Sequence, residues 1–394
     1  MPWYETNPMK ERIRFIREVS GGLRSFSEVC ERFGISRKTG YKWLQRYGNE
    51  GPDGLQDRSH RPHFCPHATD SEVLQAAFEM RRRRPRWGAP KIRARLEVLR
   101  PDWHVPAARV LHKHLQRAGL VVKKRRNRPR PHPGRPTAPF TEPNAIWSAD
   151  YKGQFKMKNG RYCYPLTVQD GFSRYLLACQ AVDGTTYDAA RQVFTRLFRE
   201  FGMPRRIRTD NGSPFSSALA LGRLSRLSVW WVRLGILPDF TEPASPQQNG
   251  RHERMHKDLK ADACIPSAGN RAAQQRRFNA FRDDFNHIRP HEALDQKPPA
   301  SSYQPSSRSF PNKIPPLEYP AHFETRKVST NGGIRWHSDW INVSHLLGGE
   351  YIGLEEVAVG VWAVYFGPVF LGWLHIEKGA IIDDDGSRSR NPRL

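Results

Sequence analysis

Between residues 8 and 50, apolar positions recur at helical spacing in three short stretches, MKERIRFIREV, SFSEVCERFGI and SRKTGYKWLQRYG. Ser25 and Glu28 have the spacing of a capping box, in which each side chain takes up a backbone N–H of the first turn. Gly34 marks a tight turn and Ser36 can cap the third helix. Helix, glycine turn, helix is the helix-turn-helix pattern, with Trp43, Leu44 and Tyr47 turned inward. A second helical region runs over 69–122 in TDSEVLQAAFEMRRRR, APKIRARLEVL and VPAARVLHKHLQRAGL. Thr69 or Asp70 can start it and Gly119 can end it. It reads as a second helix-turn-helix unit, with a wing as an option.

The period changes after residue 140. IWSADYKGQFK reads as a strand, and YCYPLTVQDGFSRYLLACQAV as a hairpin turning at DGFS. TTYDAARQVFTRLFREFG is an amphipathic helix ended by Gly202, and RRIRTDNGSPF is a short strand breaking into a glycine turn. A helical or mixed segment, LGRLSRLSVWWVRLGI, leads into a short strand, LPDFT. NGRHERMHKDLKADA and RAAQQRRFNAFRDDFNHI are helices. Strands first, then alternating strand and helix, predict a mixed α/β sheet with helices on both faces over 140–305. A Pro/Ser-rich linker at 306–320 precedes glycine-split β-rich runs over 321–384 that predict a small all-β barrel, and a tail fills 385–394. The expected organisation is therefore multidomain: an N-terminal all-α part at 1–50 and 69–122, a central α/β core, and a C-terminal β domain.

Charge adds the partner. The 394 residues carry a formal net charge of +25 with a pI of about 10.3, an excess that a polyanion neutralises. On the third helix Lys38, Lys42 and Arg46 recur every four residues along one face, beside Arg37. That face suits double-stranded DNA, and the blander alternative is a solvated basic stripe. Arg81 to Arg84 suit phosphate contacts rather than base readout. The linker over 123–139, with Lys123, Lys124, Arg125 and Arg126, stays extended and can track phosphates. The linker over 51–68 contains His60, His63, Cys65 and His67 in a spacing that matches no standard zinc module. Five scattered cysteines without a C-x-x-C fit a reducing cytoplasm, and neither a membrane span nor an apolar signal core is expected.

Three carboxylates then stand out. Asp150 ends one strand, Asp210 ends another directly before Asn211 and Gly212, and Glu253 sits on a helix after PQQNG. Strand ends are where α/β sheets place their sites. Carboxylates gathered there repel one another unless a hard divalent cation, Mg²⁺ or Mn²⁺, relieves the repulsion. Two such ions about 4 Å apart can clamp the oxygens of an in-line displacement. Lys257 and Lys260 share a helix face with Glu253 and can hold phosphates beside the metal, or form ordinary surface pairs.

WSADY, RTDNGSPF, SPQQNGRHERMHKDLK and FNHIRPHEALDQKPPASSY together resemble the integrase-core transposases of bacterial insertion sequences, whose ribonuclease-H-like core is shared with retroviral integrases. The resemblance spans about 140 to 305 and extends more loosely to the helix-turn-helix region. It implies that Asp150, Asp210 and Glu253 match the DDE metal-binding triad. It implies that Mg²⁺ serves to free a 3′-OH at the element's end and join it to target DNA. One departure from the retroviral pattern is the 43-position spacing of Asp210 and Glu253, lengthened by the Trp/Leu/Arg-rich segment near 219–236.

His252 to His256 also spells the H-E-x-x-H pattern of zinc peptidases. A third ligand is missing: no glutamate occurs between Glu253 and Glu292, position 262 is Asp262, and Leu259 replaces the glycine of the extended motif. Arg254 would repel Zn²⁺. The histidines are expected to lie on the DNA-facing helix or to pack. The sequence thus predicts a transposase acting as a dimer or tetramer on two DNA ends, cytoplasmic and on the nucleoid when DNA-bound. A catalytically silent regulator of the same fold is the alternative.

Overall fold

The computed structural model describes residues 7–59, 68–121, 139–217, 220–242 and 250–383, and the chain divides into two compact units, Met1–Ala68 and Thr69–Leu394. The linker group His60, His63, Cys65 and His67, and the basic Lys123, Lys124, Arg125 and Arg126, lie outside the described residues.

The first unit packs three helices, α1 (Pro8–Ser20), α2 (Phe26–Arg32) and α3 (Arg37–Glu50), around Phe15, Val29, Cys30, Trp43 and Leu55. Both halves of the Ser25–Glu28 capping box form, and Ser36 accepts the Thr39 N–H at the start of α3. The helices meet at Gly40, where an added Cβ would lie 2.7 Å from Cys30 Sγ, so only glycine permits this approach. Trp43 is buried, and Arg12, Lys42 and Arg46 lie over its ring at 4.0, 4.7 and 5.2 Å. Tyr47, expected inside, is exposed, because Leu55 on the turn that folds back under α3 takes up the core position.

The second unit begins with α4 (Ser71–Arg83), α5 (Ala89–Leu99) and α6 (Ala108–Arg117), which bury Val73, Ile92, Leu96, Leu111 and Leu115 together. Asp70 caps α4, and no strand occurs among the described residues of this region, so the optional wing is absent from them. Two of the arginines expected to face phosphate are structural instead. The Arg81 guanidinium donates to the carbonyls of Leu120 and Trp87, and Arg84 pairs with Asp284. Both serve to pack the α4–α6 group, the second of them onto the following domain.

That domain is a mixed sheet of six strands: β1 (Ile146–Tyr151), β2 (Phe155–Lys156), β3 (Tyr162–Asp170), β4 (Leu176–Val182), β5 (Arg206–Thr209) and β6 (Leu237–Phe240). β3 pairs antiparallel with β1, β2 and β4, while β1, β5 and β6 run parallel. The β3–β4 turn is built by Asp170, whose buried carboxylate accepts the Ser173 N–H and hydroxyl and the Asn144 N–H. Four helices cover the sheet: α7 (Tyr187–Phe201) and α8 (Arg226–Arg233) on one face, α9 (Gly250–Leu259) and α10 (Arg271–Asp283) on the other. Strand alternation sends Trp147 and Ala149 of β1 to the α7–α8 core and Asp150 to the α9 side. The stretch after residue 301 is packed onto this core: Tyr303 and Phe310 join it, and Arg308 donates to the carbonyls of Pro204 and Gly235.

The C-terminal region departs from the expected barrel. β7 (Glu324–Lys327), β10 (Tyr351–Ala358), β11 (Val361–Phe366), β12 (Val369–His375) and β13 (Ala380–Ile382) form an open five-stranded antiparallel sheet, β13-β12-β11-β10-β7. Among the described residues, β8 (Gly333–Trp336) and β9 (Asp339–Asn342) form a separate two-stranded ladder. A barrel needs a closed ladder of hydrogen bonds. Here the hairpin joins the sheet through side chains instead, Trp336 standing edge-on to Trp362 in a shared core.

Candidate active site

Asp150 lies at the C-terminal end of β1, and Asp210 directly follows β5, its parallel neighbour, so both side chains issue from the same edge of the sheet. Gly212 donates its N–H to Asp210 Oδ1 at 3.1 Å, and a Cβ on Gly212 would come within 3.2 Å of that carboxylate. Glu253 occupies the first turn of α9 and is exposed, as are Lys257 and Lys260, the latter opening the wider turn Lys260–Cys264. In the first unit Arg37, Lys38 and Lys42 are exposed and Arg46 is half-buried against Trp43.

The Asp150 carboxyl is pushed up to about 7, by burial first, then by the negative charges of Asp210 and Glu253, with Lys152 opposing. Asp210 and Glu253 therefore act electrostatically on Asp150 although both lie far from it in sequence. Lys152, two residues past Asp150, escaped the sequence reading.

Beneath Asp150 lies a cluster of neutral polar groups. Thr167 on β3 is the residue directly opposite Asp150 in the antiparallel ladder. Its hydroxyl donates to the Asp150 carbonyl at 2.9 Å and lies 2.6 Å from His252 Nε2 and 2.7 Å from His256 Nε2. The two imidazoles stand edge to face at 4.7 Å, and His256 Nδ1 is 3.7 Å from Asp150 Oδ2. Among the described residues, Asp150, His252 and His256 form the one group of three potential metal ligands with all donor atoms within 4.8 Å of one another. The sequence signal for Thr167 is its polarity within the apolar run YPLTVQD, on the same strand face as the site.

Burial drives His252 down to about 3, and burial together with the charges of His252 and Lys152 drives His256 down to about 2. Unfolded, both take a proton near 6.5. Their contribution to stability is thus complete above about pH 6.5 and is lost as pH falls towards 3. Asp150 acts in the opposite sense, its contribution being lost as pH rises to about 7. Within this cluster two groups against one leave a net loss on acidification; elsewhere the lowered His291 adds to that loss and the raised Asp170 opposes it. The metal-free protein is expected to melt at a lower temperature at pH 4.5 than at pH 6.5, and His252→Gln should flatten that slope. An unchanged slope in the variant would count against neutral packing of His252.

The family model for the integrase core domain matches residues 141–246, and a second integrase core model matches 234–299. A helix-turn-helix domain matches 11–63 and a homeodomain-like domain 39–115. The chain is similar to the insertion element IS407 uncharacterized 31.7 kDa protein of Burkholderia multivorans, 28% identical over 59% of this chain and 80% of that protein. It is also 28% identical to the insertion element IS476 uncharacterized 39.2 kDa protein of Xanthomonas euvesicatoria, over 52% of this chain and 57% of that one. A solved HTLV-2 integrase catalytic core domain in complex with magnesium is 17% identical, covering 41% of this chain and 98% of that one with a TM-score of 0.33.

Proposed function

Since this chain carries an integrase core domain and is related to insertion-element proteins, we propose that it is a DNA transposase: it binds the terminal inverted repeats of its element and catalyses metal-dependent strand cleavage and strand transfer. What supports this reading is that Asp150 and Asp210 stand at the same end of neighbouring parallel strands, and that the charges of Asp210 and Glu253 help to raise the half-buried Asp150 carboxyl. Mutually repelling carboxylates are a donor set that suits Mg²⁺ or Mn²⁺, and Asp150, Asp210 and Glu253 would hold two such ions. When bound, the ions stabilise charge on the attacking and leaving oxygens of phosphoryl transfer. Lys257, exposed on α9 four residues after Glu253, and Lys260, exposed at the start of the wider turn that follows, bind the phosphates of the strand being cut. Arg37, Lys38, Lys42 and Arg46 take the element's end in the major groove, and Lys123, Lys124, Arg125 and Arg126 follow its backbone.

The protein works as a dimer or tetramer, because two element ends must be handled together, and acts in the cytoplasm on nucleoid DNA. No described helix is long and apolar enough to cross a membrane. The test is to incubate the purified protein with DNA carrying the element's end and Mg²⁺. Nicking at the end and joining to a second duplex are expected, both stopped by a chelator. Tight binding without nicking in Mg²⁺ or Mn²⁺ would sink the enzyme reading in favour of a catalytically silent regulator.

A further inference from the structure

The Thr167 hydroxyl has three neighbours within hydrogen-bond distance and one proton to give. The Asp150 carbonyl can only accept, so that proton goes to it, at 2.9 Å. The oxygen's two lone pairs remain for His252 Nε2 at 2.6 Å and His256 Nε2 at 2.7 Å, and each of those nitrogens must therefore carry its hydrogen. Both imidazoles are thereby fixed as the Nε2–H tautomer. Their Nδ1 atoms keep a free lone pair: that of His252 is buried without a hydrogen-bond partner, and that of His256 faces Asp150 Oδ2 at 3.7 Å. His252 and His256 flank Glu253 on α9, whereas Thr167 sits opposite Asp150 in the sheet. One fully buried oxygen thus ties the strand that carries Asp150 to the helix that carries Glu253.

We propose that Thr167 is a positioning residue of the reaction: its hydroxyl sets the tautomers of His252 and His256 and so fixes α9, which carries Glu253, against the strand that carries Asp150. The inference rests on the functional reading above, in which those carboxylates are metal ligands. A valine at 167 keeps the shape of the side chain but leaves two buried Nε2–H groups and a carbonyl without their common partner. The tie between sheet and helix is then lost, although the core around it stays filled. A serine keeps the oxygen and should keep the tie. Outer partners of metal ligands typically change metal affinity or activity about 10–100-fold when removed, and this is the size of effect expected here.

The experiment compares the full chain with Thr167→Val and Thr167→Ser. Histidine ¹⁵N spectra of the wild type should give the Nε2–H pattern for both imidazoles, retained in Thr167→Ser and lost in Thr167→Val. Mn²⁺ titration followed by electron paramagnetic resonance should show affinity reduced at least about tenfold in Thr167→Val and restored in Thr167→Ser, and turnover in strand joining should follow with the Kd for DNA unchanged. A Thr167→Val protein that binds Mn²⁺ and joins strands like the wild type overturns the inference, as does a wild-type spectrum with hydrogen on Nδ1. A wild type that neither binds Mn²⁺ nor joins DNA overturns the functional reading, and this inference with it.

Discussion

Replacing any one of Asp150, Asp210 or Glu253 by its amide is expected to lower strand cleavage and strand joining by about a thousandfold or more while leaving DNA binding intact. The amide keeps the shape of each side chain and removes the charge that holds a divalent cation. Metal-assisted charge stabilisation contributes several kcal/mol to phosphoryl transfer, and about 4 kcal/mol is a thousandfold in rate. DNA affinity should persist, because the cations proposed to carry it, Arg37, Lys38, Lys42 and Arg46 among them, are untouched by these substitutions. Asp150→Asn has a second signature. Above about pH 7 the Asp150 carboxyl is ionised against burial and two negative neighbours, so the amide should raise the melting temperature of the metal-free protein. Gel assays of nicking and joining, filter binding and thermal unfolding read all of this. An amide variant that keeps a tenth of wild-type joining would remove that residue from the proposed triad.

The parts of the fold that were legible in sequence are those governed by local rules. The Ser25–Glu28 box, the Ser36 cap, the hairpin turning at DGFS and the helix ended by Gly202 all form, because each depends on residues a few positions apart. The misjudged parts depend on distant partners. Arg84 reads as a phosphate ligand until Asp284, two hundred residues away, claims it. The runs after residue 321 have strand character, but whether they close a barrel depends on which edge each meets, and periodicity carries no such information. His252 and His256 are the instructive case. The H-E-x-x-H spacing correctly puts them on one helix face, yet that face is buried against a threonine whose importance appears only when β3 pairs with β1.

The same long-range logic makes Arg289 the residue whose loss should cost most stability. Its side chain is 3% exposed, and its guanidinium meets Asp258 at 3.0 Å, Asp262 at 2.5 Å and Asp284 at 3.6 Å. Asp258 lies on α9 with Glu253, and it also pairs at 2.9 Å with Arg86, which donates to the Lys257 carbonyl as well. Asp284 follows α10 and pairs with Arg84. Arg289 therefore joins α9, the turn after it and the end of α10, at the point where the α4–α6 group docks. Losing one partner of a fully buried ion pair typically costs about 3–5 kcal/mol. Here the acids are partly exposed, and Asp258 and Asp284 keep Arg86 and Arg84, so about 2–3 kcal/mol is expected. Arg289→Met, similar in length but without charge, is expected to lose that much in urea unfolding. It should also lose strand-joining activity, because α9 is no longer anchored beside Glu253. Arg289→Lys should fall between the two, since an ammonium cannot fork between carboxylates as a guanidinium does. The control is Arg271→Met, which breaks the exposed pair with Asp183 and should cost no more than about 1 kcal/mol. If Arg289→Met unfolds together with that control, the cluster is not what anchors α9, and the placement of Glu253 must come from the apolar packing of Met255 and Leu259 alone.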